Sequence, residues 1–483
     1  MPRADTTAPV LVWFRRDLRL ADNPALAYAA GTGRPVVPLF ILDEGDETLG
    51  GAGRWWLHQS VAALARELRA SGHTLVLRRG DAARMVAEVA QECGAAEAVW
   101  NRLYHPAAIE RDTGIRTALT ARGIAATSFN AALLFEPWTI ASKAGTPFRV
   151  FTPFWRACRA APPPDVPGPP PRATAFAGRI ASDALDDWHL PPRRPDWAAG
   201  FVPHWTPGEA GAADRLRRFI ADHLCTYARD RDRPDLAATT RLSPHLAFGE
   251  IGPRQVWHAL HHAVDREPAC AGGAERLLSE LGWREFSYHL LCHAPEMATT
   301  PLRSEFTAFP WRRDDAALSA WQRGLTGYPI VDAGMRELWR TGWMHNRVRM
   351  IAASFLVKDL LQPWQAGEAW FRDTLLDADP ASNAASWQWV AGCGTDAAPF
   401  FRVFNPVLQG RKFDPAGDYV RRFVPELAAL PAEAVHEPWA HGSTLARAGI
   451  VLGRDYPAPI VDHGFARARA LEAFATLKEN DAA

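Results

Sequence analysis

The first quarter of the chain alternates short, continuous apolar runs with amphipathic stretches. Apolar runs that are rich in Val, Leu and Ile and separated by helical patterns predict a parallel, doubly wound sheet, an α/β domain over residues 9–130. No GxGxxG follows a strand, so a dinucleotide fingerprint is not indicated. The predicted strands are 10–14, 35–42, 73–79, 97–100 and 124–129, and the predicted helices are 23–30, 53–72, 81–94 and 107–123.

The pattern changes after residue 130. Residues 131–205 show no sustained period, and the proline-rich segment 161–173 can continue neither a helix nor a sheet, so we predict an irregular connector. From 206 to 475 helical periodicity dominates and strand signals vanish, which predicts an all-α domain followed by a frayed end. Its clearest helical runs are 212–224, 254–264, 274–293 and 346–361.

Composition narrows the class of protein. Hydrophobic content of 48% and charged content of 22% are those of a globular protein. Lys+Arg and Asp+Glu both number 54, so any surface that binds phosphate has to be a local patch. The six cysteines form no CxxC, and reduced thiols in a cytosol are expected. The first ten residues do not resemble a signal peptide and no long uncharged run follows, so we expect a cytoplasmic protein without a membrane span.

The densest chemistry lies in residues 326–404. Asn346, Arg349 and Met350 are spaced i, i+3 and i+4 and therefore share one helix face, which suits the edge of a bound ring system. The Arg349 charge needs a partner if it is buried, and Asp377 or Asp379 can supply one. The alternative is a large core whose buried charges are simply paired, although the 20 tryptophans exceed what packing requires.

Two further stretches carry weaker signals. Glu280 and Trp283 are three residues apart on one helix face, and taken alone they indicate a wet helix edge. Residues 238–249 combine hydroxyl side chains with Ser243 and Pro244, a pair suited to opening a helix. Such a terminus can hold phosphate, and a plain helix cap explains the pattern equally well.

These motifs, taken together, resemble those of one family, the class I cyclobutane pyrimidine dimer photolyases. The resemblance implies a Rossmann-like α/β antenna domain followed by an all-α FAD-binding domain. It also implies a light-driven DNA repair enzyme, a deoxyribodipyrimidine photo-lyase, in which excited reduced FAD gives an electron to a flipped-out dimer. The motifs that carry it are 12–26, 239–249, 280–286, 326–350, 377–383 and 387–406.

The resemblance assigns the flavin site residue by residue. Asn383 matches the residue that faces flavin N5, and Arg349 is expected to pair with Asp377. The FAD-binding positions are Tyr227, Thr239, Thr240, Arg241, Leu242, Ser243, Asn346, Arg349, Asp377, Ala378, Asp379 and Asn383. The electron-transfer chain that reduces FAD matches Trp387, Trp364 and Trp311.

It also assigns the lesion site. Glu280 matches the acid that hydrogen-bonds the dimer, Trp283 and Trp389 match its aromatic walls, and Met350 joins the catalytic set. Photolyases are among the enzymes that extrude a base before acting on it, and stacking on aromatic rings favours the extruded base. The DNA-binding positions are Arg231, Glu280, Trp283, Arg284, Asn346, Arg347, Trp389, Gln409 and Lys412.

Three positions depart from the family pattern. Leu277 stands where many relatives carry Trp, which changes one wall of the FAD cavity. Ala107 and Ala108 stand where folate-binding members carry Asn and Glu. The resemblance therefore permits a second, antenna chromophore but does not identify it. A deazaflavin, another flavin and an empty pocket are the alternatives to folate.

Three other functions are compatible with parts of the pattern. A cryptochrome photoreceptor shares the fold and the flavin, but Asn383 in place of Asp or Cys favours repair, and this chain ends soon after its helical core. A (6-4) photolyase requires His where Met350 stands, although His345 is adjacent to the same helix. A flavin electron carrier does not need the arginine-rimmed lesion set. The expected partner is damaged DNA, single- or double-stranded, bound by a monomer without metal.

Overall fold

The computed structural model describes residues 7–45, 49–396 and 401–481, and the chain forms two compact units. Unit 1 comprises Met1–Cys225, Thr240–Pro295 and Leu376–Asp379, and unit 2 comprises Thr226–Thr239, Glu296–Leu375 and Pro380–Ala483. Residues 1–6, part of the N-terminal segment that does not resemble a signal peptide, and residues 397–400, part of the 387–406 motif, lie outside the described residues.

Unit 1 contains a parallel β-sheet, as the sequence pattern predicts. The order across the sheet is β3-β2-β1-β4-β5, and β6 pairs with the first residues of β2. Every residue of β1 and of β4 is buried, because helices cover both faces of a parallel sheet. The strands are β1 (Val10–Phe14), β2 (Pro35–Asp43), β3 (Val76–Gly80), β4 (Glu97–Asn101), β5 (Ala125–Phe129) and β6 (Thr174–Ala175).

Helices account for most of the remaining chain. Those of unit 1 are α1 (Pro24–Gly31), α2 (Gly51–Ala70), α3 (Ala82–Glu92), α4 (Pro106–Thr120), α5 (Phe151–Ala160), α6 (Glu209–Asp222), α8 (Ser243–Ala247), α9 (Pro253–Arg266) and α10 (Ala271–His293). Those of unit 2 are α7 (Tyr227–Asp230), α11 (Asp315–Gln322), α12 (Pro329–Thr341), α13 (Asn346–Ser354), α14 (Trp364–Thr374), α15 (Pro380–Ala391), α16 (Pro406–Phe413), α17 (Asp418–Phe423), α18 (Ala432–Val435), α19 (Gly442–Ala448) and α20 (His463–Asp481).

The helix starts of the α/β layer follow from local side-chain chemistry. Asn23 accepts a hydrogen bond from the Leu26 amide at 3.1 Å, and Pro24 at the first helical position has no N–H to satisfy. Asp81 likewise accepts from the Arg84 amide at 2.8 Å and begins α3. These caps fix where each helix leaves the sheet. The predicted fold class, a parallel-sheet α/β domain followed by a helical domain, is confirmed.

Helix α5 is the main difference from the predicted connector. It buries Phe151, Phe154, Trp155 and Cys158, which fall at helical spacing along one face. Pro153 within this stretch reads as a break in the sequence, but proline is tolerated in the first turn of a helix. The following segment, 161–173, contains neither helix nor strand.

The predicted domain boundaries, 9–130, 131–205 and 206–475, stay a prediction. Helices α6, α9 and α10 belong to the same compact unit as the sheet. A domain that is defined by sequence pattern therefore does not coincide with a unit that is defined by spatial proximity.

The expectation that all cysteines are reduced is wrong for Cys225 and Cys270, whose sulfur atoms form a disulfide. Cys225 follows α6 and Cys270 precedes α10, 45 residues further along the chain. Cysteines this far apart form no local motif in the sequence, and it is the packing of the helices that brings them together.

In unit 2, the turn between α12 and α13 prepares the start of a helix. Gly342 ends α12 with a φ of +66°, a conformation that glycine adopts without strain. His345 caps α13 by accepting from the Arg347 amide at 3.2 Å. The helix predicted to reach residue 361 ends at Ser354 and continues as a π-helical turn over Phe355–Asp359.

Candidate functional site

The segment before α8, in unit 1, presents hydroxyl groups at a sharp turn. Arg241 has a φ of +50°, and the Leu242 amide donates to Thr240 Oγ1 at 3.2 Å. Ser243, exposed at the first position of α8, donates its hydroxyl to Asp377 Oδ2 at 2.5 Å. The structure thus brings together two predicted cofactor residues, Ser243 and Asp377, that are far apart in the sequence.

Asp379 has a partner that the sequence did not suggest. The Tyr288 hydroxyl of α10 donates to Asp379 Oδ2, and the Arg284 guanidinium lies 5.1 Å from the Tyr288 ring centre. Burial, together with the Asp379 carboxylate, raises the pKa of Tyr288 well above its usual value. Tyr288 therefore stays protonated and fixes the orientation of Asp379, which itself directly follows Ala378 before α15.

Helix α10 carries the predicted lesion pair. Glu280 and Trp283 are both partly exposed, and Arg276 Nη2 lies 3.3 Å from Glu280 Oε1. The Trp283 ring stacks on Phe151 of α5, with centroids 3.8 Å apart and planes 9° from parallel. Phe151 was assigned to the irregular connector, so its role could not be read from the sequence. The stack holds one face of the indole and fixes the plane of the ring.

Arg284 and Leu277, on the same helix, are directed into the protein. Arg284 donates to the Ala132 carbonyl at 2.6 Å, and its side chain is only 14% exposed. The DNA-binding role predicted for Arg284 stays a prediction, and the contacts seen here are internal to unit 1. Leu277 is buried, as is Leu278 beside it.

In unit 2, α13 presents the predicted polar face. Val348 and Ile351 are buried, whereas Asn346, Arg349 and Met350 are exposed or partly exposed. Arg349 Nε donates to the Met344 carbonyl at 2.7 Å, which holds the guanidinium at the start of the helix. The predicted pairing of Arg349 with Asp377 stays a prediction.

Arg347 anchors a cationic cluster in unit 2. Its Nη2 lies 2.9 Å from Asp232 Oδ2, and its guanidinium lies 4.4 Å from the centre of the Phe413 ring. Lys412 Nζ lies 5.1 Å from that same ring. Burial alone would raise the pKa of Asp232, but the hydrogen bond and charge of Arg347 lower it. Arg347 and Lys412, two predicted DNA-binding positions, thus share the Phe413 ring. Arg231, a third such position, directly precedes Asp232, and its guanidinium lies 5.9 Å from the centre of the Tyr227 ring.

Gln409 and His345 complete the surroundings of this cluster. Gln409 is partly exposed one turn before Lys412 on α16. His345 is buried, and burial lowers its pKa to about 4, so the imidazole is neutral at pH 7. Its Nε2 has no hydrogen-bond partner among the residues that the structure describes.

Asn383, in the first turn of α15, is held by α14. Its Nδ2 donates to Glu368 Oε1 at 2.8 Å and to the Glu368 carbonyl at 3.1 Å. Burial raises the pKa of Glu368, opposed by Arg372 and by the Asn383 hydrogen bond. Because the amide nitrogen is committed to Glu368, the amide oxygen of Asn383 has a defined direction.

The predicted tryptophan chain occupies the core of unit 2. Trp387 and Trp364 are buried, and Trp311 is partly exposed and packs on Phe309 at 4.4 Å. Trp387 also contacts a tryptophan that the sequence analysis did not select, Trp321, at 6.2 Å between ring centroids. Trp389, two residues after Trp387, is partly exposed.

Gly367 makes room for Trp387. A Cβ at residue 367 would lie 2.1 Å from a ring carbon of Trp387, far inside van der Waals contact. α14 and α15 can therefore approach closely only because residue 367 has no side chain.

Unit 1 also contains a cavity of about 300 Å³ at the carboxyl ends of β1 and β2. The chain winds from β1 through β2 to β3 in one direction across the sheet and from β4 to β5 in the other, so the topological switch point lies between β1 and β4. The cavity adjoins this point, because Leu103, just after β4, also lines it. Its walls include Trp13, Arg16, Arg54, Asp43 and Arg111, and the last two form an ion pair at 2.6 Å. The excess of arginines favours a planar or anionic ligand.

Ala107 and Ala108 lie in the first turn of α4. Ala108 is fully buried and Ala107 is exposed, and neither position offers a polar side chain to a ligand. Among the described residues, no helix is long and apolar enough to cross a membrane.

Comparison with known proteins bears on both units. Residues 10–171 match the family described as DNA photolyase, and residues 277–476 match the FAD binding domain of DNA photolyase. The chain is 53% identical to the deoxyribodipyrimidine photo-lyase of Agrobacterium fabrum, over 98% of this chain and 99% of that protein. It is 41% identical to cryptochrome-1 of Arabidopsis thaliana, over 98% of this chain and 71% of that protein. A crystal structure described as a bacterial class III photolyase from Agrobacterium tumefaciens matches with a TM-score of 0.95 and 52% identity, over 99% of this chain and all of that one.

Proposed function

The chain belongs to the photolyase and cryptochrome family, and on that premise we propose that it uses light and FAD to repair cyclobutane pyrimidine dimers in DNA. Relatives that match over nearly their whole length are named deoxyribodipyrimidine photo-lyase, which makes this chain an enzyme of that type. The FAD binding domain of DNA photolyase accounts for residues 277–476.

The observation that carries the proposal is the pair formed by Glu280 and Trp283 on α10. Phe151 fixes the plane of the Trp283 ring, which then offers a rigid flat wall to an extruded base. Stacking of a base on such a wall is worth ~1–3 kcal/mol. Glu280 lies three residues away on the same helix face and supplies a carboxyl group for hydrogen bonds to the pyrimidine edges.

The donor groups fit FAD. Thr240 and Ser243 offer hydroxyl groups of the kind that bind phosphate, and Ser243 is oriented by its hydrogen bond to Asp377. The amide of Asn383 is oriented by Glu368, so that its oxygen can accept a hydrogen bond at a fixed position. When bound, FAD supplies the electron that opens the cyclobutane ring. The protein's own residues orient the cofactor, exclude water and stack on the extruded base. The tryptophans Trp387, Trp364 and Trp311 are proposed to reduce the cofactor.

DNA is proposed to meet the cluster around Arg347. The guanidinium of Arg347 is partly exposed, and its bond to Asp232 can be exchanged for a bond to a backbone phosphate. Arg231 and Lys412 add positive charge in the same unit, and Gln409 offers an amide. A local patch of this kind accounts for DNA binding by a chain whose formal net charge is zero.

The subclass predicted from the sequence, class I, is not confirmed. The structure that is 52% identical is described as a class III photolyase. Motifs shared across the whole family, such as 377–383, identify the family and do not separate its classes.

A signalling cryptochrome is the alternative with the best support among the rivals, because one is 41% identical. The photo-lyase at 53% identity is closer, and it matches over 99% of its own length. Asn383 and the pairing of Glu280 with Trp283 favour repair. Met350, with no histidine in its place, favours cyclobutane dimers over (6-4) products.

We also propose that the arginine-lined cavity in unit 1 holds the second, antenna chromophore. Arg16, Arg54 and Arg111 would bind anionic substituents, and the Trp13 ring would pack against a planar group. The protein is proposed to act in the cytoplasm, as a monomer, on either single- or double-stranded damaged DNA.

The test is repair of defined lesions. An oligothymidylate carrying cyclobutane dimers and a duplex carrying one (6-4) product are each illuminated with blue light, reductant and protein, and intact bases are measured by chromatography. Restoration of the first substrate alone, only in the light, is expected. If light removes neither lesion from the DNA although the protein retains FAD, the cryptochrome alternative is favoured. Repair of the (6-4) product would overturn the dimer assignment.

A further inference from the structure

Three aromatic rings of unit 1 form a continuous file from the partly buried carboxylate of Asp379 to the surface. The rings of Tyr288 and Tyr104 have centroids 6.0 Å apart, and those of Tyr104 and Trp138 are 6.1 Å apart. Tyr104 is buried, just after β4, and Trp138, in the loop after β5, is 53% exposed. The inner end of the file is Asp379, which accepts the Tyr288 hydroxyl.

Each tyrosine in the file has its own carboxylate. Tyr288 donates to Asp379, and Tyr104 donates to Glu136 Oε2 at 3.0 Å. Burial and the adjacent carboxylate raise the pKa of both phenols, so the proton stays on the phenol oxygen at neutral pH. A phenol that loses an electron becomes strongly acidic, and a carboxylate already hydrogen-bonded to it can take the proton without any rearrangement.

Charges around the file are held in place. Arg102 forms an ion pair with Glu136 and also donates to the Ser128 carbonyl at 2.6 Å. The Arg284 guanidinium lies over the Tyr288 ring at 5.1 Å. These cations compensate the carboxylates in a partly buried region, so a proton can move between phenol and carboxylate within fixed hydrogen bonds.

A tyrosine bonded to a carboxylate is also an ordinary way to satisfy a buried hydroxyl. Tyr419 donates to Glu337, and Tyr456 donates to Asp332, in unit 2. The ring of Tyr419 contacts Phe423, which is not readily oxidised. Tyr288 and Tyr104 differ because their oxidisable rings contact each other and then an exposed tryptophan.

We propose that Tyr288, Tyr104 and Trp138 form a one-electron relay that carries an oxidising equivalent from the Asp379 end of unit 1 to solvent. The relay rests on the proposed function, because Asp379 is one of the residues expected to contact the flavin. The oxidant at that end is a light-excited isoalloxazine, and the final reductant in solvent is ascorbate or a thiol.

The electrons and protons balance at each step. Tyr288 loses one electron to the oxidant and passes its phenolic proton to Asp379. An electron from Tyr104 then restores Tyr288, whose proton returns, while the Tyr104 proton moves to Glu136. Trp138 next donates an electron to Tyr104, the Glu136 proton returns, and the soluble reductant restores Trp138. The net change is one electron passed from the reductant to the oxidant, with no proton retained by the protein.

The first experiment uses the full chain with FAD bound and Trp387→Phe as the background, which interrupts the proposed tryptophan chain. Protein labelled with ring-deuterated tyrosine is illuminated and frozen, and its electron paramagnetic resonance spectrum is recorded. A tyrosyl signal is expected, and Tyr288→Phe should abolish it. Trp138→Phe should lengthen the lifetime of the tyrosyl radical in ascorbate several-fold, because the outward step is missing.

The matched control is Tyr28→Phe. Tyr28 also donates to a carboxylate, Glu97, at 3.0 Å, but its ring contacts Phe129 and lies outside the file. Its loss should leave the radical unchanged. A background protein without a tyrosyl signal, or a signal that survives Tyr288→Phe, would overturn the relay. Repair by chemically reduced samples of the same proteins reports on the proposed function separately.

A second measurement does not require flavin. A ruthenium tris(bipyridine) photosensitiser, quenched by persulfate, oxidises exposed tryptophans. With no soluble reductant present to restore Trp138, the contact runs in the reverse direction, and an electron from Tyr104 is expected to refill Trp138. The yield of tyrosyl radical should fall in Trp138→Phe and in Tyr104→Phe and stay unchanged in Tyr419→Phe, which alters a buried tyrosine of unit 2 that also donates to a carboxylate. Equal yields in all of these proteins would refute the contact between Tyr104 and Trp138 as a path for electrons.

Discussion

The side chain of Asn383 is bound twice by one residue: its Nδ2 lies 2.8 Å from Glu368 Oε1 and 3.1 Å from the Glu368 carbonyl oxygen. Glu368→Ala removes the side-chain acceptor and should lower the free energy of unfolding by ~1–3 kcal/mol. It should also broaden the visible spectrum of bound FAD, because Asn383 loses its fixed orientation. Glu368→Gln keeps an oxygen acceptor and serves as the control. Identical urea unfolding curves and spectra for the two variants would contradict the assigned role.

Glu285 predicts a pH dependence of stability. Burial raises its pKa to about 7 from an ordinary 4.5, although Arg284 and the backbone amides of Leu134 and Phe135 oppose the change. The folded protein therefore holds a proton that the unfolded chain releases. The contribution of Glu285 to the free energy of unfolding is full below pH ~4.5 and is lost as the pH rises through ~7.

Glu285→Gln should flatten the pH dependence of unfolding in that interval, where the slope reaches about 1.4 kcal/mol per pH unit. Glu275→Gln, on the exposed side of the same helix, is the control and should leave the slope as it is. Urea denaturation at several pH values measures both. The assignment fails if the slope persists in Glu285→Gln.

Trp387→Phe should remove most of the light-driven reduction of bound FAD while leaving repair by dithionite-reduced enzyme largely intact. The two processes use different electron routes, since reduction draws on buried tryptophans and repair draws on FAD already reduced. Flavin absorbance under blue light measures the first process, and dimer loss measures the second. Trp188→Phe, a buried tryptophan of unit 1, is the control. Loss of repair by the chemically reduced Trp387→Phe enzyme would show that the residue has another role.

Arg347→Ala should weaken the salt dependence of DNA binding. Each phosphate neutralised on duplex DNA contributes about −0.9 to the slope of log affinity against log salt, so the slope should become shallower by about one unit. Binding to a dimer-containing duplex is titrated at several salt concentrations. Arg454→Ala, which removes an exposed arginine paired with Asp455, should leave the slope unchanged. The same slope in wild type and Arg347→Ala would remove Arg347 from the phosphate contacts.

The sheet was predictable because strands that are buried on both faces consist of continuous apolar residues, as in Val10–Phe14. Helix α5 was not, because its ten residues lie within a stretch that shows no sustained period. The disulfide between Cys225 and Cys270 leaves no local trace in the sequence either.

The candidate site divides in the same way. Glu280 and Trp283 could be grouped from their spacing, and Asn346 could be grouped with Arg349, since both pairs lie on a single helix. Phe151, which fixes Trp283, comes from an element more than a hundred residues away in the printed sequence. Its contribution depends on how helices pack, and no spacing rule reports that.

The absence of a side chain at Gly367 makes the residues acceptable at positions 367 and 387 depend on each other. The Trp387 ring occupies the volume that a Cβ at residue 367 would take, with 2.1 Å between them. A side chain at residue 367 therefore requires the ring at residue 387 to move or to be replaced by a smaller one, so the two positions are expected to change together.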